Sequence, residues 1–163
     1  MQTNERNRIM KKTLIILLSM ALPAGLLLFP LDTHAFFGPW ANRHQPVTAE
    51  NGQVRIPLHT INDGRAHYFT FKADGRKISF FVLKSRDGVI RAAFDACDVC
   101  FPEKKGYSQT GDFMTCNNCG QRFHASKINV LKGGCNPAPL RRTTEGGDLV
   151  IAVTDIFTGL RYF

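Results

Sequence analysis

KISFFVLKSRDGVIRAAFDACDVC, running from Lys77 to Cys100, is the stretch that decides how this chain folds. Two runs rich in β-branched and aromatic residues, Lys77 to Leu83 and Val89 to Phe94, flank the dipeptide Asp87-Gly88. Glycine accepts the positive φ that tight hairpin turns demand, so this punctuation predicts an antiparallel pair. The same grammar continues toward the N-terminus. Asp74-Gly75 separates the first run from the β-rich Ala66-His67-Tyr68-Phe69-Thr70-Phe71. Asn62-Asp63-Gly64 separates that segment in turn from the alternating Val54-Arg55-Ile56-Pro57-Leu58. The prediction is a four-strand antiparallel meander.

Its last strand runs straight into Asp95-Ala96-Cys97, so a cysteine turn should fall at a sheet end. Cys97-Asp98-Val99-Cys100 and Cys116-Asn117-Asn118-Cys119 form two CxxC pairs with fifteen residues between them, the spacing of tetrathiolate metal sites. Gly106-Tyr107, then Gln109-Thr110-Gly111-Asp112, then Phe113-Met114-Thr115 read as strand, turn and strand, delivering Cys116 close to the first pair. Four converging thiolates suit zinc, a single iron or an iron–sulfur cluster. Gly120 fits a metal knuckle, where a small residue lets backbone N–H groups face sulfur, whereas Phe101-Pro102 follows the first pair. The fold class is therefore mainly β: an antiparallel β-meander followed by a ribbon-like tetracysteine metal-binding finger.

Cys97, Cys100, Cys116 and Cys119 are the expected metal ligands. Cys135, in the loop Gly133-Gly134-Cys135-Asn136-Pro137, is a fifth candidate: an exchangeable ligand, a redox partner, or a substitute for one of the four. A small buried hydrophobe is its alternative reading. His124, close behind the second pair, is read as a surface residue, although an imidazole ligand there would raise a cluster's potential. Asp95 and Asp98 are read as turn and cap residues, Tyr107 as packing, and His59 and His67 as structural.

The chain has 163 residues, 44% hydrophobic, with a formal charge of +8, which suits a precursor segment plus one modest domain. Arg6, Arg8, Lys11 and Lys12 precede an uncharged run from Thr13 to Leu31, the layout of a secretory leader. Thr33-His34-Ala35 supplies the small residues of a cleavage site, and an uncleaved anchor is the competing reading because the run approaches a bilayer span. In either case positive-inside orientation places everything after residue 35 outside the cytoplasm. Residues 1–35 are thus a signal peptide or membrane anchor, 36–50 a linker, and 51–163 the metal-binding domain. Outside the cytoplasm cysteines commonly pair as disulfides, but five is an odd number for a disulfide framework. The remaining basic residues are scattered without aromatic interleaving, so no nucleic-acid partner is expected.

Phe94-Asp95-Ala96-Cys97-Asp98-Val99-Cys100, Lys105-Gly106-Tyr107, Cys116-Asn117-Asn118-Cys119-Gly120 and Gly133-Gly134-Cys135-Asn136-Pro137 occur in an order that resembles the FtrD-like membrane iron–sulfur family. The likeness spans roughly residues 50–163, starting in the meander with Phe80-Phe81-Val82-Leu83-Lys84 and Asp87-Gly88. It implies electron transfer or iron handling at the outer face of a membrane, with a membrane-bound iron permease or redox protein as partner. Family members commonly carry several membrane helices, whereas this sequence offers one leader.

Other chemistries find no support. The chain has no CxxCH for covalent haem, no glycine-rich phosphate loop, and no nucleophile with a recognisable base. Three readings follow. An exported iron or iron–sulfur electron carrier predicts visible absorbance that bleaches on reduction. A structural zinc ribbon predicts one zinc per chain and unfolding on chelation. A thiol–disulfide oxidoreductase predicts no metal and a catalytic midpoint potential, though it would want a βαβ context.

Overall fold

The structure, a computed structural model, describes residues 43–73 and 75–163. The leader expected over residues 1–35 and the first part of the 36–50 linker lie outside these residues. No helix among the described residues is long and apolar enough to cross a membrane.

The described residues form three sheets. The central one contains β1 (His44–Val47), β3 (His67–Ala73), β4 (Arg76–Lys84) and β5 (Ile90–Phe94), in the order β1-β3-β4-β5. The β3–β4 and β4–β5 pairs are antiparallel, as expected. Ala73 pairs with Arg76, and Gly75 between them has φ +76°.

The four-strand meander is corrected at its first member. β2 (Gln53–Pro57) leaves the central sheet and pairs antiparallel with β10 (Asp148–Ala152), which also pairs with β9 (Thr143–Glu145). The reason lies in the connection: after Pro57 the chain makes a 3-10 turn over Leu58–Thr60 and buries Ile61, a path too long for a tight hairpin. The vacant edge of β3 is taken by β1, running parallel to it, so part of the segment read as a linker is a strand.

β4 explains the layering. Phe80, Phe81, Val82 and Leu83 are all fully buried, so this strand is covered on both faces and reads as a continuous apolar run. Side chains alternate across a strand. Ile78, Phe80 and Val82, with Phe69, Phe71 and Phe94, pack against Val54, Ile56, Leu149 and Ile151 of the second sheet. Phe81 and Leu83, with Tyr68 and Ala93, pack against Tyr107, Met114 and Cys116. Those belong to the third sheet, β6 (Tyr107–Thr110), β7 (Phe113–Cys116) and β8 (Arg122–His124), antiparallel throughout. Each such large side chain removed from water contributes about 1.5–3 kcal/mol.

The C-terminus closes with helix α1 (Val153–Phe157) and a 3-10 turn over Leu160–Tyr162. Gly159 between them lies against the Phe94 ring, with no room for a Cβ.

Candidate metal centre

The first CxxC begins where β5 ends. Asp95 N–H donates to the Ser79 carbonyl at 2.9 Å, carrying the β4–β5 register one step past Phe94, and Phe94 N–H donates to the Ala138 carbonyl at 2.8 Å on the other side. Cys97 is then buried, with its sulfur accepting from the Cys100 N–H at 3.1 Å. A 3-10 turn over Phe101–Glu103 follows, and Lys104 ends it in the left-handed region at φ +51°.

The second CxxC is the connection between β7 and β8. Thr115 pairs with Arg122, so Cys116 to Gln121 form the loop. Gly120 adopts φ +73° and its N–H donates to the Cys116 carbonyl at 2.9 Å, while Cys116 N–H donates to the Gln121 carbonyl at 2.9 Å. Gly120 takes the positive φ that a tight cysteine turn needs, but its N–H bonds a carbonyl oxygen rather than a sulfur.

Asn117 docks this loop onto the segment leaving the first pair. Its N–H donates to the Gly106 carbonyl at 2.9 Å and its amide nitrogen to the Lys105 carbonyl at 2.8 Å. Its amide oxygen accepts from Ser108 Oγ at 2.7 Å. Asn118 accepts from Lys105 Nζ at 3.0 Å.

Five thiols result, and all are free. They form two groups of three: Cys97, Cys100 and Cys135, and Cys100, Cys116 and Cys119, each with its sulfurs within 4.8 Å of one another. Cys100 belongs to both. Cys100 and Cys135 sulfurs are 3.7 Å apart, so the glycine-rich loop does deliver Cys135 to the site. Cys97 and Cys116 are buried, Cys119 is exposed, and Cys100 and Cys135 lie between. Soft thiolates in this number are the donor set that zinc, iron and iron–sulfur clusters take, so the residues fit such a group.

Burial pushes the Cys116 thiol up to about 11. Burial, followed by the neighbouring Cys119 and Cys100, raises Cys135 as well. The exposed Cys119 moves the other way, held down chiefly by the Gln121 backbone N–H.

Three residues read as incidental in the sequence hold the site. Asp95 is buried: Oδ1 accepts from the Tyr107 N–H at 2.7 Å, while Oδ2 meets His44 Nε2 at 2.9 Å and Arg43 Nη2 at 3.2 Å. It therefore ties the end of β5 to the start of β6 and to β1. Tyr107 is fully buried and its hydroxyl donates to the Cys135 carbonyl at 2.6 Å, fixing the loop that carries the fifth sulfur. Asp98 accepts from the Tyr162 hydroxyl at 2.7 Å and from Arg161 at 3.1 Å, so the C-terminus pins the first pair. A glycine at 106, whose φ is +63° and whose added Cβ would meet the Asp95 carboxylate at 2.6 Å, was the available signal for this crowding.

His124 pairs with Phe113, at the end of the β7–β8 ladder away from Cys116. Its Nδ1 accepts from the Ser126 N–H and meets Ser126 Oγ at 2.8 Å, so it caps a turn. His67 pairs with Asp63 at 2.7 Å.

A cavity of about 200 Å³ opens beside the sulfurs, with Cys97, Cys100 and Cys116 on its wall and Lys104 and Lys105 at its rim.

Residues 61–163 match a family model described as membrane iron–sulfur containing protein FtrD-like. No curated protein matches the chain. Among solved structures, a crystal structure of the quaternary ammonium Rieske monooxygenase CntA in complex with inhibitor MMV12 is similar at TM-score 0.41 and 16% identity. That match covers 61% of this chain, and this chain spans 30% of that one.

Proposed function

We infer a function from one premise: this chain belongs to the FtrD-like family of membrane iron–sulfur containing proteins. It is an exported or membrane-anchored protein whose cysteine centre holds an iron–sulfur cluster or iron. It carries electrons in support of iron uptake or respiration, with a membrane-bound iron permease or redox protein as partner. The ribbon-like finger of residues 107–124 presents the second cysteine pair to the first.

The observation that supports this most is the convergence of all five cysteines, as free thiols, at the junction of two CxxC turns and the Gly133-Gly134 loop. Burial of two sulfurs and exposure of one gives an electron carrier both a low-dielectric interior and a contact edge. The basic residues ahead of the uncharged run Thr13 to Leu31 support an extracytoplasmic position for the centre. Lys104 and Lys105 at the cavity rim would attract an acidic redox partner.

Metal and acid-labile sulfide analysis, with a visible spectrum, on full-length protein purified without oxygen tests the reading. Iron with labile sulfide and bleachable absorbance is expected. Colourless protein loaded with zinc would make the centre a structural ribbon, and a metal-free disulfide form would move it to thiol chemistry.

A further inference from the structure

Five thiols are one more than the two CxxC pairs supply, and Cys135 is the extra one. Its sulfur stands 3.7 Å from that of Cys100, a non-bonded contact between two free thiols. It also neighbours Cys119, on the exposed side of the cluster. Cys100 is in turn the sulfur common to both groups of three.

We propose that Cys100 and Cys135 form a redox gate on the centre: in the metal-free protein they close a disulfide, and the site is loaded only after a dithiol reductant reopens it. This rests on the reading of the thiols as an extracytoplasmic metal centre, and implies a thiol–disulfide reductase as a second partner.

Three observations carry it. Cys135 is presented to Cys100 by its own loop, with Gly133 at φ +83°, Gly134 at φ +61°, and the Tyr107 hydroxyl on the Cys135 carbonyl. The two cysteines are 35 positions apart, so their cross-link restricts the unfolded chain far more than a disulfide inside either CxxC turn. That favours it over Cys97–Cys100 and Cys116–Cys119. Finally, occupying the Cys100 sulfur removes a member from both groups at once, whereas a Cys116–Cys119 bond leaves Cys97, Cys100 and Cys135 intact.

Closure is thiol–disulfide exchange with an external disulfide, the oxidant class of compartments outside the cytoplasm. One cysteine thiolate attacks that disulfide, breaking its S–S bond and releasing one half as a thiolate. The second cysteine thiolate attacks the resulting mixed disulfide at the protein sulfur, joining Cys100 to Cys135 and releasing the other half. The cysteines give up two electrons and two protons, and the external disulfide becomes two thiols. Opening is the reverse: a dithiol returns two electrons and two protons and leaves as a disulfide.

Trypsin separates the outcomes, because cleavage after Arg91, Lys104, Lys105, Arg122, Lys132 and Arg141 places the first pair on 92–104, the second on 106–122 and Cys135 on 133–141. Reduced, metal-free full-length protein is equilibrated with glutathione buffers of rising oxidised fraction, alkylated, digested and mapped by mass spectrometry. The first disulfide to form should join 92–104 to 133–141, with fragmentation placing it at Cys100. A first disulfide inside either CxxC peptide, between 106–122 and 133–141, or at Cys97 overturns the proposal. Gating is read with Co(II) as the metal probe. The cross-linked protein should lose the thiolate charge-transfer absorbance that the reduced protein gives, and dithiothreitol followed by desalting should restore it. Undiminished absorbance overturns the gate. Iron and labile-sulfide analysis of native protein stands apart from these outcomes. No native iron, with the Cys100–Cys135 link found, retires the iron reading and keeps the gate, whereas native iron without the link does the reverse.

Discussion

Asp95 and Tyr107 show how much of a metal centre depends on residues that never touch metal. A buried carboxylate with three partners is costly to disturb, because each hydrogen bond to a charged group contributes about 1.5–3 kcal/mol and its loss leaves other groups unpaired. Gly106 is the most sensitive point of this arrangement, since Gly106→Ala adds left-handed strain and a Cβ driven into the Asp95 carboxylate. It should destabilise the metal-free protein by about 2–3 kcal/mol. Urea unfolding checks this, and an unchanged midpoint would show that the loop relaxes freely. Tyr107→Phe keeps the ring and removes only the hydroxyl from the Cys135 carbonyl, a loss of about 1 kcal/mol. Faster removal of metal by a chelator is expected, and wild-type kinetics would mean the loop is held by Gly133 and Gly134 alone.

Secondary-structure elements were legible in proportion to how local their cause is. Gly75 and Gly88, at φ +76° and +81°, adopt the backbone that the turns of β3–β5 need, and those strands appear where the sequence places them. The assignment of β2 to another sheet was not legible, because its partner β10 lies some ninety residues away and alternation alone does not name a partner. β1 was hidden for the same reason: His44-Gln45-Pro46-Val47 has little β character, and its pairing depends on Arg43 and His44 reaching Asp95. The CxxC pairs announced the site, yet its fifth member and its C-terminal clamp did not follow from spacing. That clamp is testable. Tyr162→Phe and Asp98→Ala, combined in a double-mutant cycle, should show coupling of about 1 kcal/mol. Coupling near zero would mean that the Phe101 and Phe94 rings alone hold the C-terminal turn.

At the scale of the molecule, one sheet is shared by two cores, and every thiol but the exposed Cys119 belongs to the wall of the second. Folding, metal binding and proton release are therefore linked. Burial holds the Cys116 thiol at about 11, against an ordinary 9.0, so the folded metal-free chain keeps that proton more tightly than the unfolded one. A raised value of this kind contributes stability below pH 9 that is lost as pH climbs through 11. Cys135 acts in the same direction. Metal uptake near neutrality must expel these protons, so affinity should rise with pH, by about a hundredfold per unit when two are released. Chelator competition with Co(II) at pH 6.5 and 7.5 measures this directly. The same coupling predicts opposite alkaline behaviour for the two forms. Metal-free protein should lose thermal stability between pH 9 and 11, while metal-loaded protein, its thiols already ionised and neutralised, should not. Parallel melting curves for both forms across that range would show that the thiols titrate as they do in the unfolded chain, and that the second core forms without regard to its sulfurs.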